Sequence, residues 1–309
     1  MTASPSTDNE MYDEMYDESH HRPGSPLPGG VHLDSTAHIM NRISSQPAGR
    51  PGPVPLDRRR RPGPPALVVV AHGSRDPRAL RTVSTLLDGV RDLRPDLPVH
   101  LGHIELNEPL LSDTLAGLDA ADTAHAEGAV LVPLLLSRGY HVRRDIPETA
   151  AAARVHTRVA APLGPHALLV ETLHARLVEA GWRTRMTDAE RRTSAVVLAA
   201  AGSRDPDSAV DTGRTARLLA DRLGVPVVPA YASTAAPTVP AAVRALAARG
   251  RHRVAVASYF TAPGRFATEC AQAAPWIASA PLGTHEAMAR LVLHRYDQAR
   301  AATVGSNAA

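Results

Sequence analysis

Ala66-Leu67-Val68-Val69-Val70-Ala71-His72-Gly73-Ser74-Arg75-Asp76-Pro77 decides the fold, because an unbroken apolar run stops at a glycine turn and gives way to a helix start. Such a run has the pattern of a strand buried on both faces. Beyond the turn, Leu80, Val83, Leu87 and Val90 recur at helical spacing. The same text returns downstream as Ala195-Val196-Val197-Leu198-Ala199-Ala200-Ala201-Gly202-Ser203-Arg204-Asp205-Pro206. Gly-Ser-Arg-Asp-Pro is identical in both copies, whereas the histidine before it occurs only in the first. A repeat that keeps its turn and loses its reactive side chain implies one working half and one retired half.

Outward from these turns, strand and helix patterns alternate. After the first helix come a strand over Pro98–Ile104, a helix over Leu110–His125 and a strand over Ala129–Leu135. A polar loop then runs to Asp145. A helix over Pro147–Val155, a short strand over Arg158–Ala161 and a helix over Pro165–Ala180 complete the unit. The second unit has a helix over Ser208–Leu223, a strand over Val225–Ala230, a helix over Val239–Ala248, a strand over Val254–Ser258 and a last helix over Glu286–Gln298. The units also close alike, as Ala161-Pro162-Leu163-Gly164-Pro165-His166 and Ala280-Pro281-Leu282-Gly283-Thr284-His285. Matching starts and ends argue for internal duplication. Alternation of this kind predicts an α/β fold of two tandem flavodoxin-like parallel sheets with helices on both faces.

The expected division is a disordered tail over 1–64, a catalytic unit over 65–181 and a linker over 182–193. A degenerate second unit over 194–302 and a short tail over 303–309 follow. The first tail carries the acidic repeat Met11-Tyr12-Asp13-Glu14, Met15-Tyr16-Asp17-Glu18 and the basic run Arg58–Arg61, with no periodic apolar pattern.

A chain of 309 residues can bury two cores of ordinary size. No apolar run approaches the roughly 20 residues that span a bilayer, and the acidic start is unlike a signal peptide. One cysteine, Cys270, fits a reducing cytoplasm. The net charge is +3 and all 34 basic side chains are arginine. Arginine's planar fork suits carboxylates and phosphates. The basic residues are scattered among acids, which argues against nucleic acid, and the absence of lysine excludes a Gly-x-x-x-x-Gly-Lys phosphate loop.

Ligands of open parallel sheets bind beyond the carboxyl ends of the strands. His72 follows the first strand, Glu105 ends the second, and His141 lies in the loop after the third. If the first and third strands are neighbours, the two histidines face each other. Two imidazoles and a carboxylate can bind a first-row divalent metal and can accept protons. His100, His103, His125, His156, His166 and His174 have no such placement and are expected to be structural. His166 has a counterpart in His285, which marks a feature of the fold.

Ala71-His72-Gly73-Ser74, Glu105 with Pro109, and Leu134-Leu135-Leu136-Ser137-Arg138-Gly139-Tyr140-His141 leading to Asp145-Ile146-Pro147 together resemble the sirohydrochlorin chelatase family of CbiX/SirB type, in its two-unit long form. The resemblance covers about residues 66–300 and implies ATP-independent insertion of a divalent metal into a tetrapyrrole. It makes His72 and His141 the metal-binding and proton-accepting pair, with Glu105 as a third catalytic residue. Fe²⁺ is the expected metal substrate, with Co²⁺ close behind and Ni²⁺ a further possibility; no permanently bound cofactor is expected. The organic partner is sirohydrochlorin, whose carboxylates would meet Arg75, Arg138, Arg143, Arg144 and Arg204. Gly73 and Gly139 would let the backbone approach a flat macrocycle. A cytoplasmic monomer or homodimer, with no membrane or nucleic-acid partner, completes the expectation. The second unit has Ala201, Ser233 and the Thr261–Phe266 loop at the equivalent positions and cannot be an independent site. The alternative is a carrier that holds metal or tetrapyrrole without catalysing insertion.

Overall fold

The computed structural model describes residues 63–120, 128–233 and 235–302. Nearly all of the expected tail over 1–64, the tail over 303–309 and the end of the helix expected over Leu110–His125 lie outside the described residues.

The first half contains β1 (Ala66–Ala71), α1 (Pro77–Leu93), β2 (Val99–His103), α2 (Leu111–Ala120), β3 (Ala129–Pro133), a π-helical turn (His141–Asp145), α3 (Ile146–Ala152), β4 (Thr157–Val159) and α4 (Ala167–Glu179). The second contains α5 (Asp188–Thr193), β5 (Ser194–Ala200), α6 (Pro206–Leu223), β6 (Val227–Tyr231), α7 (Val239–Ala247), β7 (Arg253–Ser258), α8 (Arg265–Gln272), β8 (Ile277–Ala278) and α9 (Glu286–Ala301). Each half forms a four-stranded parallel sheet, ordered β2-β1-β3-β4 and β6-β5-β7-β8. Every residue of β1 and of β5 is buried, as central parallel strands must be when helices cover both faces.

The repeated pentapeptide is a device for starting a helix. Asp76 and Asp205 are N-caps, their carboxylates accepting from the backbone N–H of Arg78 and Asp207, both at 2.9 Å. Pro77 and Pro206 occupy the first helical turn, where a missing N–H costs nothing. Ser74 and Ser203 accept from the N–H of Asp76 and Asp205 at 3.1 Å in each copy. His166 and His285 cap α4 and α9 in the same manner, each Nδ1 accepting from the N–H two residues on. The expectation that this matched pair belongs to the fold is thereby met.

The last helix of each half packs on the other half. α4 lies against α6, β7 and α9, while α9 lies against α1, β3 and β4. One apolar core therefore runs through both lobes, from Leu67 and Val69 to Leu198 and Leu291. Separate clusters fill the outer faces, under α2 and α3 in one lobe and under α7 and α8 in the other. The buried Tyr296 of α9 donates its hydroxyl to Pro65 O at 2.6 Å, tying the chain's last helix to the entrance of β1.

Four elements depart from the sequence expectation, one of them the π-helical turn His141–Asp145 in the stretch expected as polar loop. The polar stretch expected as a linker holds α5, opened by a capping box between Thr187 and Glu190, and its Trp182 is buried. α8 and the two-residue β8 occupy the segment expected as loop.

Candidate active site

β1 pairs with β2 on one side and β3 on the other, so the loops leaving β1 and β3 are neighbours at the carboxyl edge. His72 is the first residue after β1. The chain turns at Gly73, whose φ of +104° is reserved for glycine. Glu105 N donates to His72 O at 3.0 Å, so the segment after β2 lies directly on the turn. A Cβ at Gly73 would sit 1.8 Å from Glu105 O. Gly73 therefore serves contact between two protein segments. Gly139 has ordinary space, with Ser203 Oγ 3.7 Å from a built Cβ.

The His72 and His141 rings stand edge to face, their centroids 4.8 Å apart. His72 Nδ1 lies 3.5 Å from Glu105 Oε1, and His141 Nδ1 lies 2.5 Å from Asp145 Oδ2. The Asp145 carboxylate hydrogen-bonds His141 Nδ1 and favours the tautomer that leaves the His141 Nε2 lone pair available, whereas Glu105 stands beside His72 Nδ1 at ion-pair distance only. Burial, followed by the neighbouring His141, holds the His72 pKa below its ordinary 6.5, against the opposing pull of Glu105. Sequence reasoning placed Asp145 in the motif without a role; its spacing of four residues from His141 on a helical turn was the available signal.

A cleft of about 390 Å³ opens beside His141, lined in part by His103, Ile104, Glu105, Asp145 and Thr149. His103 is buried, and its Nδ1 lies 3.2 Å from Pro109 O, as a structural histidine should. Leu106 holds a φ of +65°, the one such non-glycine residue described, and keeps its side chain 49% exposed next to Glu105. Tyr140 is also exposed, its ring 6.1 Å from that of His141. Another cavity, of about 360 Å³, lies at the amino edge by His156 and Arg158, remote from this chemistry.

In the second lobe, Ser233 N donates to Ala201 O at 3.0 Å, the same contact that Glu105 makes with His72. Tyr259 N donates to Ala199 O just as Leu134 N donates to Val70 O, which aligns Phe266 with His141 and Cys270 with Asp145. Ala201, Ser233 and Phe266 thus occupy the positions of the three candidate residues.

The arginines divide. Arg138 is bound to Asp211 through its backbone N, Nε and Nη2, and to Asp207 through Nη1. Burial alone would raise the Asp211 pKa, but the Arg138 hydrogen bonds outweigh it and hold the carboxyl low. Arg143 pairs with Asp205 and Asp207, and Arg144 with Glu148. These pairings correct the expectation that Arg138 and Arg143 await a substrate. Arg75 and Arg204 are exposed, with no ion pair among the described residues.

Residues 66–180 and 195–299 both match the CbiX family model. The sirohydrochlorin cobaltochelatase of Priestia megaterium is 27% identical over 64% of this chain and 65% of its own length. The sirohydrochlorin ferrochelatase of Bacillus subtilis is 29% identical over 56% of this chain and 64% of its own. The chain thus spans just under two thirds of the length of these relatives. Among solved structures, SirB from Bacillus subtilis with Fe³⁺ superposes with a TM-score of 0.63 at 23% identity, covering 78% of this chain and 97% of that one. That likeness establishes a common fold. With both halves matched over most of the sequence, the chain belongs to the CbiX family.

Proposed function

We propose that this protein inserts a divalent metal, ferrous iron or cobalt, into sirohydrochlorin without ATP. The observation that carries the proposal is the edge-to-face imidazole pair, with a carboxylate near each Nδ1 and a cleft lined by His141, Glu105 and Asp145. Relatives in the family bear the names sirohydrochlorin cobaltochelatase and ferrochelatase, which supports the same reaction.

Insertion exchanges two pyrrole N–H protons for one dication, so the site must hold an ion and take up protons. His141, oriented by Asp145, holds the incoming metal through Nε2 together with His72. Glu105, 52% exposed and beside His72, accepts the departing protons and passes them to water. The depressed pKa of His72 keeps its ring neutral, and so able to ligate, at neutral pH. No group of three or more His, Cys, Asp or Glu among the described residues forms a metal cage. An ion held by two imidazoles keeps open coordination positions, which a site that must release its metal to the macrocycle requires. Leu106 and Tyr140 offer apolar surface to the face of the ring, and Arg75 and Arg204 are the arginines free to meet its carboxylates. A cytoplasmic location accords with the lone Cys270, buried and with its thiol pushed up to about 11 by burial and then by Glu269.

Absorbance of sirohydrochlorin mixed with Fe²⁺ or Co²⁺ tests the proposal directly. The intact protein accelerates the spectral change, and His72→Ala and His141→Ala each lower that rate by about 10²–10⁴-fold. Near-normal turnover by both variants refutes the site. Binding of metal or tetrapyrrole with no acceleration by the intact protein identifies a carrier instead.

A further inference from the structure

The second lobe retains no counterpart of the imidazole pair, yet its α6 makes the densest polar contact with the loop that bears His141. Asp211, only 2% exposed, accepts from Arg138 N at 3.0 Å, Nε at 2.9 Å and Nη2 at 2.7 Å. Asp207 accepts from Arg138 Nη1 at 3.2 Å and also pairs with Arg143. Asp205, the N-cap, lies 3.2 Å from Arg143 Nε. Ser137 and Ser208 hydroxyls meet at 2.9 Å. Residues 137–143 are therefore pinned on both sides of His141 by one helix of the other lobe.

The contact runs in one direction. Counting from the identical pentapeptide, Asp207 and Asp211 correspond to Arg78 and Thr82 in the first lobe; the equivalence of Leu134 and Tyr259 sets Arg138 against Pro263 in the second. Arg78 folds back onto its own cap, Asp76, and takes no part in holding the second lobe's loop. Among the described residues, only the loop with the imidazole has an ionic anchor to the other lobe, and the lobe without the imidazole pair supplies it.

We propose that Asp211, assisted by Asp207 and Asp205, is the positioning element of the active site, holding the loop so that His141 faces His72. The second lobe has exchanged reactive side chains for anchoring ones. This inference rests on the assignment of His72 and His141 as the metal-binding pair. Asp211 touches neither substrate, and its effect passes through Arg138 to the loop.

The test uses the full chain with Asp211→Asn and, as a milder variant, Arg143→Gln. Displacement of a reacting group by about 1 Å can cost 10²-fold, so Asp211→Asn is expected to lower kcat about 10–100-fold. KM for sirohydrochlorin should stay within a factor of about two, because Asp211 lies outside the cleft lining. Hydrogen exchange over residues 137–146, followed by mass spectrometry, should accelerate selectively, and Arg143→Gln should shift both readouts in the same direction but less. Tyr296→Phe removes a different buried bond between the lobes and serves as control: it lowers the melting temperature while kcat and exchange over 137–146 stay unchanged. If Asp211→Asn and Tyr296→Phe alter kcat and loop exchange alike, Asp211 is general cement between lobes and the proposal falls. If Asp211→Asn does not fold, unchanged kcat and loop exchange in Arg143→Gln overturn it. An inactive intact protein would refute the chelatase assignment, whereas loop exchange would still decide whether Asp211 holds the loop.

Discussion

Replacing Gly73 by alanine tests the site and the fold together. A side chain at φ +104° is strained by about 1–2 kcal/mol even where space exists. Here there is none: the new Cβ would sit 1.8 Å from Glu105 O, and relief requires the His72–Glu105 backbone bond of 3.0 Å to part. Losing that bond adds about 0.5–1.5 kcal/mol, giving a total of roughly 1.5–3.5 kcal/mol. For a fold of this size that lowers the melting temperature by about 3–14 °C. The same parting draws Glu105 from His72, and the insertion rate should fall about 10²-fold. Two controls separate stability from chemistry. Gly139→Ala meets only Ser203 Oγ at 3.7 Å and should keep its stability within about 0.5 kcal/mol. Gly224→Ala loses a left-handed helix cap at φ +66° remote from the histidines, so it should melt earlier yet turn over normally once folded. Thermal unfolding and initial insertion rates at a temperature where all three variants are folded supply the data. A Gly73→Ala protein that melts and reacts like the parent, or a Gly139→Ala protein that suffers more, would refute the reasoning.

Asp145→Asn keeps the shape beside His141 Nδ1 and removes the charge that fixes its tautomer. Co²⁺ affinity and insertion rate should each drop about 10–100-fold, and unaltered Co²⁺ titrations would contradict the role given to Asp145. A second expectation concerns pH. His72, His100, His166 and His174 all have pKa values below the ordinary 6.5, burial being the leading cause in each. Such groups bind protons more readily when unfolded, so their contribution is complete above about 6.5 and is lost as pH falls through the folded-state values. The melting temperature should be level above neutrality and decline on acidification below about pH 6.5, before the carboxylates titrate; a rise over that interval would reverse the sign.

Much of the architecture was legible because parallel strands buried on both faces must be written as unbroken apolar runs, and β1 and β5 are. The neighbouring loops followed from strand order, so His72, Glu105 and His141 could be singled out from three separate stretches. Helix exchange was not legible. An amphipathic pattern says which face of α4 or α9 is apolar, but both sheets offer equivalent Val, Leu and Ala surfaces, and sequence alone does not say which one receives the helix. The arginines were ambiguous for a related reason. Arg138 and Arg75 look equally available in the sequence, and what distinguishes them is an aspartate 73 positions beyond Arg138 that only the folded chain brings near. α8 and β8 are too short for periodicity to register.

The second lobe is tied to the first by particular contacts. Its Gly-Ser-Arg-Asp-Pro turn starts α6 through the same cap and proline as the turn of α1, so helix initiation alone accounts for the shared pentapeptide, with or without a histidine before it. Asp205 in that turn has a second partner in Arg143, and Asp207 and Asp211 extend the contact along the helix to Arg138. Meanwhile β3 is covered by α9, which comes from the far end of the chain, and β7 by α4 from the near half. Deleting the second lobe would expose the first sheet and free the loop bearing His141 in one stroke.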